Sequence, residues 1–303
     1  MATRKNVIAL SAAEKSAIIN AVLQLSAAGG YGKYVAWHSQ AMDLMSAHMG
    51  PAFCPWHRQF VLLFERDLRN IVGDPNWALP YWDWAADSAL PDPTAAPVWG
   101  NDFAGGNGDP NNNNLVATGP FAFGPANPNS WRAVDGNGNP LGGLQRAFGA
   151  DPQGNTLPAV ADVSALVTAD PSVQPYDSAP WDMTNHSSFR NTLEGFNDPN
   201  QIPQLHNRVH VWAGGHMAQV PLAPNDPVFF VHHCNIDRIW ASWQARYFPP
   251  PADPAQGYAP ITGGPHFHNI DDPMMPLPGN PTPRSVLSIA ALGYQYDALV
   301  PIP

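Results

Sequence analysis

Cysteine is scarce in this chain, which has Cys54 and Cys234 as its two cysteines among 303 residues. Two cysteines do not form the disulfide framework of a small secreted protein. Each lies close in sequence to a histidine, so three roles are open: a small buried apolar side chain, a disulfide between the two, or a thiol near a metal. The buried apolar side chain is the favoured interpretation.

Basic residues and long apolar runs are also scarce. The chain has 14 Lys and Arg against 24 Asp and Glu, a formal net charge of −10. Without a basic run, this balance argues against a nucleic-acid partner. No apolar run could span a membrane, and residues 1–15 lack a signal-peptide core. We expect no membrane partner, and a cytoplasmic protein or one exported by a route that the sequence does not show.

Proline, glycine and aromatic residues are what the chain has in quantity. It contains 35 Pro and 25 Gly, is 11% aromatic, and is only 13% charged. Because the aromatic content is too high for disorder, this mixture predicts helices joined by long, ordered loops. Turn-forming residues dominate from residue 85 to about 183, and one short helix is expected near residues 141–148.

Helix signals lie on both sides of that turn-rich region. Ser11 and Glu14 form a capping-box pattern before an apolar run that ends at Gly29 and Gly30. Apolar periodicity predicts further helices over residues 34–45, 55–70, 204–213 and 226–247.

Histidines occur in two patterned groups with apolar and aromatic neighbours. The first histidine group is His38, His48 and His57, and the second is His206, His210 and one of the adjacent pair His232 and His233. The spacing of His206 and His210 places both rings on one face of a helix. A lone histidine is more often an ordinary core or surface residue, but a buried imidazole must satisfy two nitrogens. Metal ligation at one nitrogen and a hydrogen bond at the other does so.

The ligand type indicates which metal these groups would bind. Neither group has Asp or Glu at a plausible ligand spacing, unlike the usual dinuclear zinc, manganese and iron sites. Neutral imidazole suits copper, zinc, iron and nickel, and copper binds most tightly in this series. Copper can also change its oxidation state, which zinc cannot. We therefore predict two copper ions, with O2 as a co-substrate, and one domain over residues 1–303 in which the two groups meet.

At these residues the chain resembles the tyrosinase family, the type-3 copper proteins that include polyphenol oxidases, and it is most similar to compact bacterial members. The matching segments are His48 with FCPWHR and Glu65, LPYWDW, HNRVHVWAGGHM, DPVFFVHHCNID and GYQYD. The resemblance implies a mainly α fold: an antiparallel four-helix bundle around a dicopper centre, with long Pro- and Gly-rich loops and little β structure. It also leads us to expect no carboxy-terminal shielding domain.

The resemblance also implies roles for individual residues. The first copper would be bound by His38, His48 and His57, and the second by His206, His210 and His233. His232 would be a neighbouring structural residue. Glu194 and Asn207 would hold a water that takes the proton of an incoming phenol. The residues expected to shape the substrate pocket are Phe229, Val211, His216, Met217 and Val220.

The implied activity is copper-dependent oxidation of small phenols or catechols by O2. Monophenols would be hydroxylated at the ortho carbon and ortho-diphenols oxidised to ortho-quinones, as in melanin formation. The alternative is a catechol or ortho-aminophenol oxidase with weak or no hydroxylation, and a remote alternative is an oxygen carrier. Val211 stands where some active bacterial members have a basic residue, which leaves the strength of hydroxylation open. Ser46 stands where many eukaryotic members have a cysteine joined to the second histidine. Some bacterial relatives use a helper protein for copper delivery, so such a partner is open here.

Overall fold

The computed structural model describes residues 1–124, 126 and 130–301. In this part of the chain the α-helices are α1 (Ala12–Ala27), α2 (Gly32–Asp43), α3 (Phe53–Val72), α4 (Trp84–Asp87), α5 (Val160–Thr168), α6 (Phe189–Glu194), α7 (Leu205–Ala213) and α8 (Val228–Tyr247). The strands are β1 (Ala2–Arg4), β2 (Gly108–Asp109), β3 (Leu115–Val116), β4 (Ala133–Val134), β5 (Pro140–Gly142) and β6 (Tyr294–Tyr296). The predicted mainly α class with little β structure is confirmed.

Local signals explain where the long helices begin and end. Ser11 accepts the backbone N–H of Glu14, and the Glu14 carboxylate accepts the backbone N–H of Ser11, so the predicted capping box starts α1. Helix α3 ends at Gly73, whose φ of 76° is one that glycine adopts without strain. The predicted helices over residues 34–45, 55–70, 204–213 and 226–247 are confirmed, with their ends shifted by a few residues.

The short helix predicted near residues 141–148 is wrong. This segment is extended: it contains β5, and the carbonyl of Leu144 accepts the N–H of Val116. Phe148 then stacks on Trp212, with ring centroids 4.9 Å apart. Apolar side chains here have a helix-like spacing, but long-range backbone pairing determines the conformation. A regular helix does occur in this turn-rich region, but it is α5, further along the chain.

The core is built around α3 and α8, which contact each other along their length. Every residue of α8 from Val228 to Trp243 is buried, as expected of a helix surrounded by other elements. Helices α2, α3, α7 and α8 form the four-helix bundle that carries most of the patterned histidines. No helix in the described ranges has the length and apolar character needed to cross a bilayer.

A buried ion-pair cluster links α3, α8 and the two terminal strands, β1 and β6, which pair in parallel. Arg58 on α3 donates to Asp237 on α8, and Arg4 on β1 donates to Asp237 (3.0 Å) and to Glu65 (2.9 Å). The hydroxyl groups of Tyr294 and Tyr296 on β6 also donate to Asp237, at 2.6 and 2.5 Å. The GYQYD segment therefore packs against α3 and α8, the two helices that carry His57 and His233.

Candidate metal centre

The first histidine group comes together from two helices and the segment between them. His38 lies on α2, His57 on α3, and His48 on the irregular stretch that joins α2 to α3. The centroid of the His48 ring lies 4.9 Å from each of the other two ring centroids. All three side chains are buried. The three rings can offer nitrogens that lie within 4.8 Å of one another, which is compatible with a shared metal ion.

The imidazoles of this group are neutral, and several of their nitrogens have no hydrogen-bond partner among the described residues. Burial lowers the pKa of all three imidazoles, that of His48 to about 3. Nδ1 of His57 donates to the carbonyl of Phe53 at 2.8 Å, and its Nε2 has no partner. Both nitrogens of His38 and the Nδ1 of His48 also lack hydrogen-bond partners. Since an unsatisfied buried nitrogen is costly, these lone pairs are suited to bind a metal.

The second histidine group lies between α7 and α8. The Nε2 atoms of His206 and His233 are 3.4 Å apart. Nδ1 of His206 contacts the side-chain oxygen of Asn207 at 2.9 Å, and Nδ1 of His210 contacts the carbonyl of Met217 at 2.8 Å. Because these oxygens accept hydrogen bonds, both Nδ1 atoms carry the proton and both Nε2 atoms keep a lone pair.

The two groups meet at His57 and His233. Their rings are stacked, with centroids 4.3 Å apart and planes 11° from parallel. Residues from opposite halves of the chain are thus brought into direct contact. Phe229, one turn before His233, packs its ring 4.2 Å from that of His233 and 5.0 Å from that of His38.

His232 also belongs to the second cluster of rings. It is fully buried, and neither of its nitrogens has a hydrogen-bond partner among residues that the structure describes. It can offer a nitrogen within 4.8 Å of those of His206, His210 and His233. Its ring centroid lies 4.9 Å from that of His210. The sequence pattern selected His233 as the ligand, whereas the structure brings both adjacent histidines to the group.

The donor set fits copper. In the described part of the chain both candidate metal-binding clusters consist of histidines alone. Neutral imidazoles support both oxidation states of copper, and carboxylates, which hard ions prefer, are absent from these clusters.

A cavity of about 270 Å³ opens beside both groups. Four of the histidines line it, and so do Glu194, Asn207, Val211, Met217 and Val220. The other predicted pocket residues, Phe229 and His216, are buried and do not line the cavity. The Nδ1 of His216 accepts the backbone N–H of Gln145 at 3.0 Å.

Further lining residues were not predicted from the sequence. They are Met42, Met49, Phe196, Pro203, Ala218 and Ala223. Met49 could have been identified because it follows His48 directly. The others lie on loops or helix faces whose approach to the site has no local signal.

Glu194 is buried and already has two partners. Its Oε1 accepts the backbone N–H of Met49 at 2.6 Å, and its Oε2 accepts from Arg190 at 3.0 Å. Burial raises the pKa of Glu194 to about 7, although the nearby guanidinium of Arg190 opposes the shift. Glu194 therefore supports the His48 segment as well as bordering the cavity.

Comparison with known proteins identifies the family. A family model described as the common central domain of tyrosinase matches residues 28–246. The chain is 38% identical to a tyrosinase of Streptomyces glaucescens, covering 98% of this chain and 99% of that protein. The chain belongs to the tyrosinase family. It is also 36% identical to the grixazone synthase of Streptomyces griseus, over 80% of this chain and 84% of that one.

The fold agrees with this membership. A polyphenol oxidase from Thermothelomyces thermophila superposes with a TM-score of 0.72 at 26% identity, covering 98% of this chain and 89% of that one. The tyrosinase-family cofactor is a pair of copper ions, and the two histidine clusters provide places for both. The protein is accordingly an enzyme that catalyses the copper-dependent oxidation of phenols.

Proposed function

We propose that this enzyme hydroxylates monophenols at the ortho carbon and oxidises ortho-diphenols to ortho-quinones, with O2 as the oxidant. The observation that carries the proposal is the shared cavity beside two groups of neutral imidazoles that meet at the stacked rings of His57 and His233. When bound, two copper ions supply the binding and reduction of O2.

The proposed ligands keep the assignment made from the sequence. His38, His48 and His57 would hold the first copper, and His206, His210 and His233 the second. The Nδ1 hydrogen bonds of His57, His206 and His210 to protein oxygens support this arrangement, because they fix each ring and leave Nε2 available.

The cavity is suited to a flat aromatic substrate. Apolar side chains, including Met42, Phe196 and Val211, make up much of its wall. Glu194 and Asn207 border the same space, and we propose that they hold a water that accepts the phenol proton. A phenol has a pKa of about 10, so removing this proton makes the ring more electron-rich and a better copper ligand. Met217 and Val220 would then shape the entrance.

The test compares initial rates on a para-substituted phenol and on the matching catechol, using protein with measured copper content. The wild type should convert both. Glu194→Gln should slow phenol hydroxylation by roughly 10²-fold or more, the range of general-base catalysis, and affect catechol oxidation much less. The amide oxygen of Gln can still accept the Met49 N–H, and equal copper content in variant and wild type would show that the His48 segment is intact.

The alternatives predict different results. Fully copper-loaded protein that oxidises the catechol or ortho-aminophenol but never hydroxylates the phenol would contradict the hydroxylase proposal and support the simple oxidase. Reversible O2 binding without turnover would support the oxygen carrier. His38→Ala serves as the control for metal dependence, since it removes a proposed ligand.

Two further expectations belong with this proposal. We propose that residues 1–303 act as one catalytic domain, supported by the pairing of β1 with β6, which brings the two ends of the chain together. Delivery of copper by a helper protein is a separate prediction. Incubating the purified chain with a Cu(I) donor alone tests it, because full loading without another protein would argue against the requirement.

A further inference from the structure

His48 is the proposed ligand of the first copper that does not lie on a helix. Its segment runs from the end of α2 at Asp43 to the start of α3 at Phe53. Met45 and Met49, on either side of His48, have positive φ angles of 51° and 58°. Such conformations are disfavoured for residues with a side chain, so the surroundings must hold this segment in place.

The ring of His268 bridges the two ends of this segment. Its Nε2 lies 2.8 Å from the carbonyl oxygen of Met45, and its Nδ1 lies 3.0 Å from the backbone nitrogen of Ala52. A carbonyl can only accept and a backbone N–H can only donate. Nε2 therefore carries the proton and Nδ1 is the acceptor. Only the neutral ring can make both bonds, and burial favours it by lowering the pKa of His268 to about 4.

The segment closes tightly over this ring. A Cβ atom added to Gly50 would lie 2.6 Å from Cε1 of His268 and 2.9 Å from its Nδ1, so glycine is required for the approach. The hydroxyl of Tyr258 donates to the carbonyl of His268 at 2.8 Å and anchors the residue from its own side. His268 is 4% exposed, and water does not compete for its bonds.

The ring of His48 has neither a hydrogen bond at Nδ1 nor a helix to position it, whereas each other proposed ligand has at least one of these supports. His57, His206 and His210 have Nδ1 hydrogen bonds to protein oxygens. His38 and His233 have no Nδ1 partner among the described residues, but they lie on helices α2 and α8. The buried Nδ1 of His48 has no such partner within the described ranges. Its place in the first group is therefore determined by the backbone of the segment that His268 bridges.

We propose that His268 is a positioning residue for the first copper site: by holding Met45 and Ala52, it fixes the location of His48. The inference rests on the proposed ligand role of His48 and goes beyond the ligands themselves. His268 does not line the cavity and belongs to neither histidine group in the described part of the chain. Its loss should weaken copper binding at the first site and leave the second site unchanged.

The experiment measures Cu(I) affinity by competition with a chelator in two parent variants that each retain one site. His210→Ala disables the second site and His38→Ala disables the first. Into each parent we would introduce His268→Leu, which removes both hydrogen bonds, and Gly50→Ala, which displaces the ring without changing it. His268→Gln offers an amide donor and acceptor, and His266→Ala is the matched control because His266 is an exposed histidine of the same segment.

In the parent with the first site, His268→Leu and Gly50→Ala should each weaken copper binding by roughly 10- to 100-fold, as loss of outer supporting residues does. His268→Gln should recover most of the affinity, and His266→Ala should have no effect. In the parent that retains the second site, none of these four substitutions should change the copper affinity. Equal weakening at both sites, or unchanged first-site affinity, would overturn the proposal. A His210→Ala parent that binds no copper would instead refute the ligand assignment on which it rests.

Discussion

Asp237→Asn tests how strongly the buried ion-pair cluster stabilises the fold. Asp237 accepts hydrogen bonds from Arg4, Arg58, Tyr294 and Tyr296, and none of these five side chains is more than slightly exposed. The two guanidinium groups lower the pKa of Asp237 despite its burial, so the carboxylate is charged. Asparagine keeps the shape of the side chain but removes the charge and replaces one acceptor oxygen by an NH2 group, which faces hydrogen-bond donors.

The expected loss of stability follows from the charge balance. Among the fully buried groups, Arg4 and Arg58 are matched by Glu65 and Asp237, while Arg69, which also pairs with Glu65, is partly exposed. The substitution therefore leaves a buried positive charge without compensation. Removing one partner of a buried pair typically costs roughly 3–5 kcal/mol. That is a large part of the total stability of a domain. At about 1.6 °C for each kcal/mol in a chain of 303 residues, Tm should fall by roughly 5–8 °C.

The assay is urea and thermal unfolding of the copper-free protein, which separates the fold from metal binding. Asp271→Asn is the matched control, because it makes the same chemical change in the exposed pair between Asp271 and Arg284. The control should unfold like the wild type. If Asp237→Asn lost less than about 1 kcal/mol, the argument that this cluster holds α3 against α8 would be refuted.

Three further predictions concern metal ligation, thiols and pH. His233→Phe should reduce the copper content by half, whereas His232→Phe should retain it; metal analysis that finds copper lost from the latter would make His232 a ligand. Cys54 and Cys234 are free and buried, and burial raises the pKa of Cys234 to about 12. A thiol reagent should therefore label neither cysteine in the native protein. It should label both after unfolding without reductant. Fewer labelled thiols would reveal a disulfide. For His268, the folded-state pKa of about 4 lies below the ordinary 6.5. The unfolded chain therefore gains a proton first as pH falls, and stability drops between these pH values by roughly 3 kcal/mol for this residue. The difference in unfolding free energy between wild type and His268→Gln should shrink accordingly, and a constant difference would contradict this explanation.

Much of the helical scaffold could be predicted because its signals are local. The reciprocal hydrogen bonds of Ser11 and Glu14 involve neighbouring residues, and the spacing of His206 and His210 specifies one helix face. The apolar stretch around His233 is long enough to indicate a buried helix. The favoured interpretation of both cysteines as buried apolar side chains also agrees with their free state.

The turn-rich region shows where such reasoning fails. Leu141, Leu144 and Phe148 have a spacing that suggests a short helix, but their backbone is extended and pairs elsewhere. Arg146, between them, is fully buried and binds Asp226 through Nε at 2.6 Å and Nη2 at 2.8 Å. A partner so distant in sequence cannot be identified from a local pattern, although it determines the path of the chain.

The sequence by itself determined which residues could form a dicopper enzyme: the two patterned histidine groups, the helices that carry most of them, and the absence of carboxylates at ligand spacing. Tertiary structure alone decided that His57 stacks on His233, that His232 joins the second cluster, and that His268 supports the segment of His48. The physical reason is the separation along the sequence of the residues that interact. Helix spacing and capping act within a few residues, whereas these contacts depend on how loops without periodicity pack against the finished core.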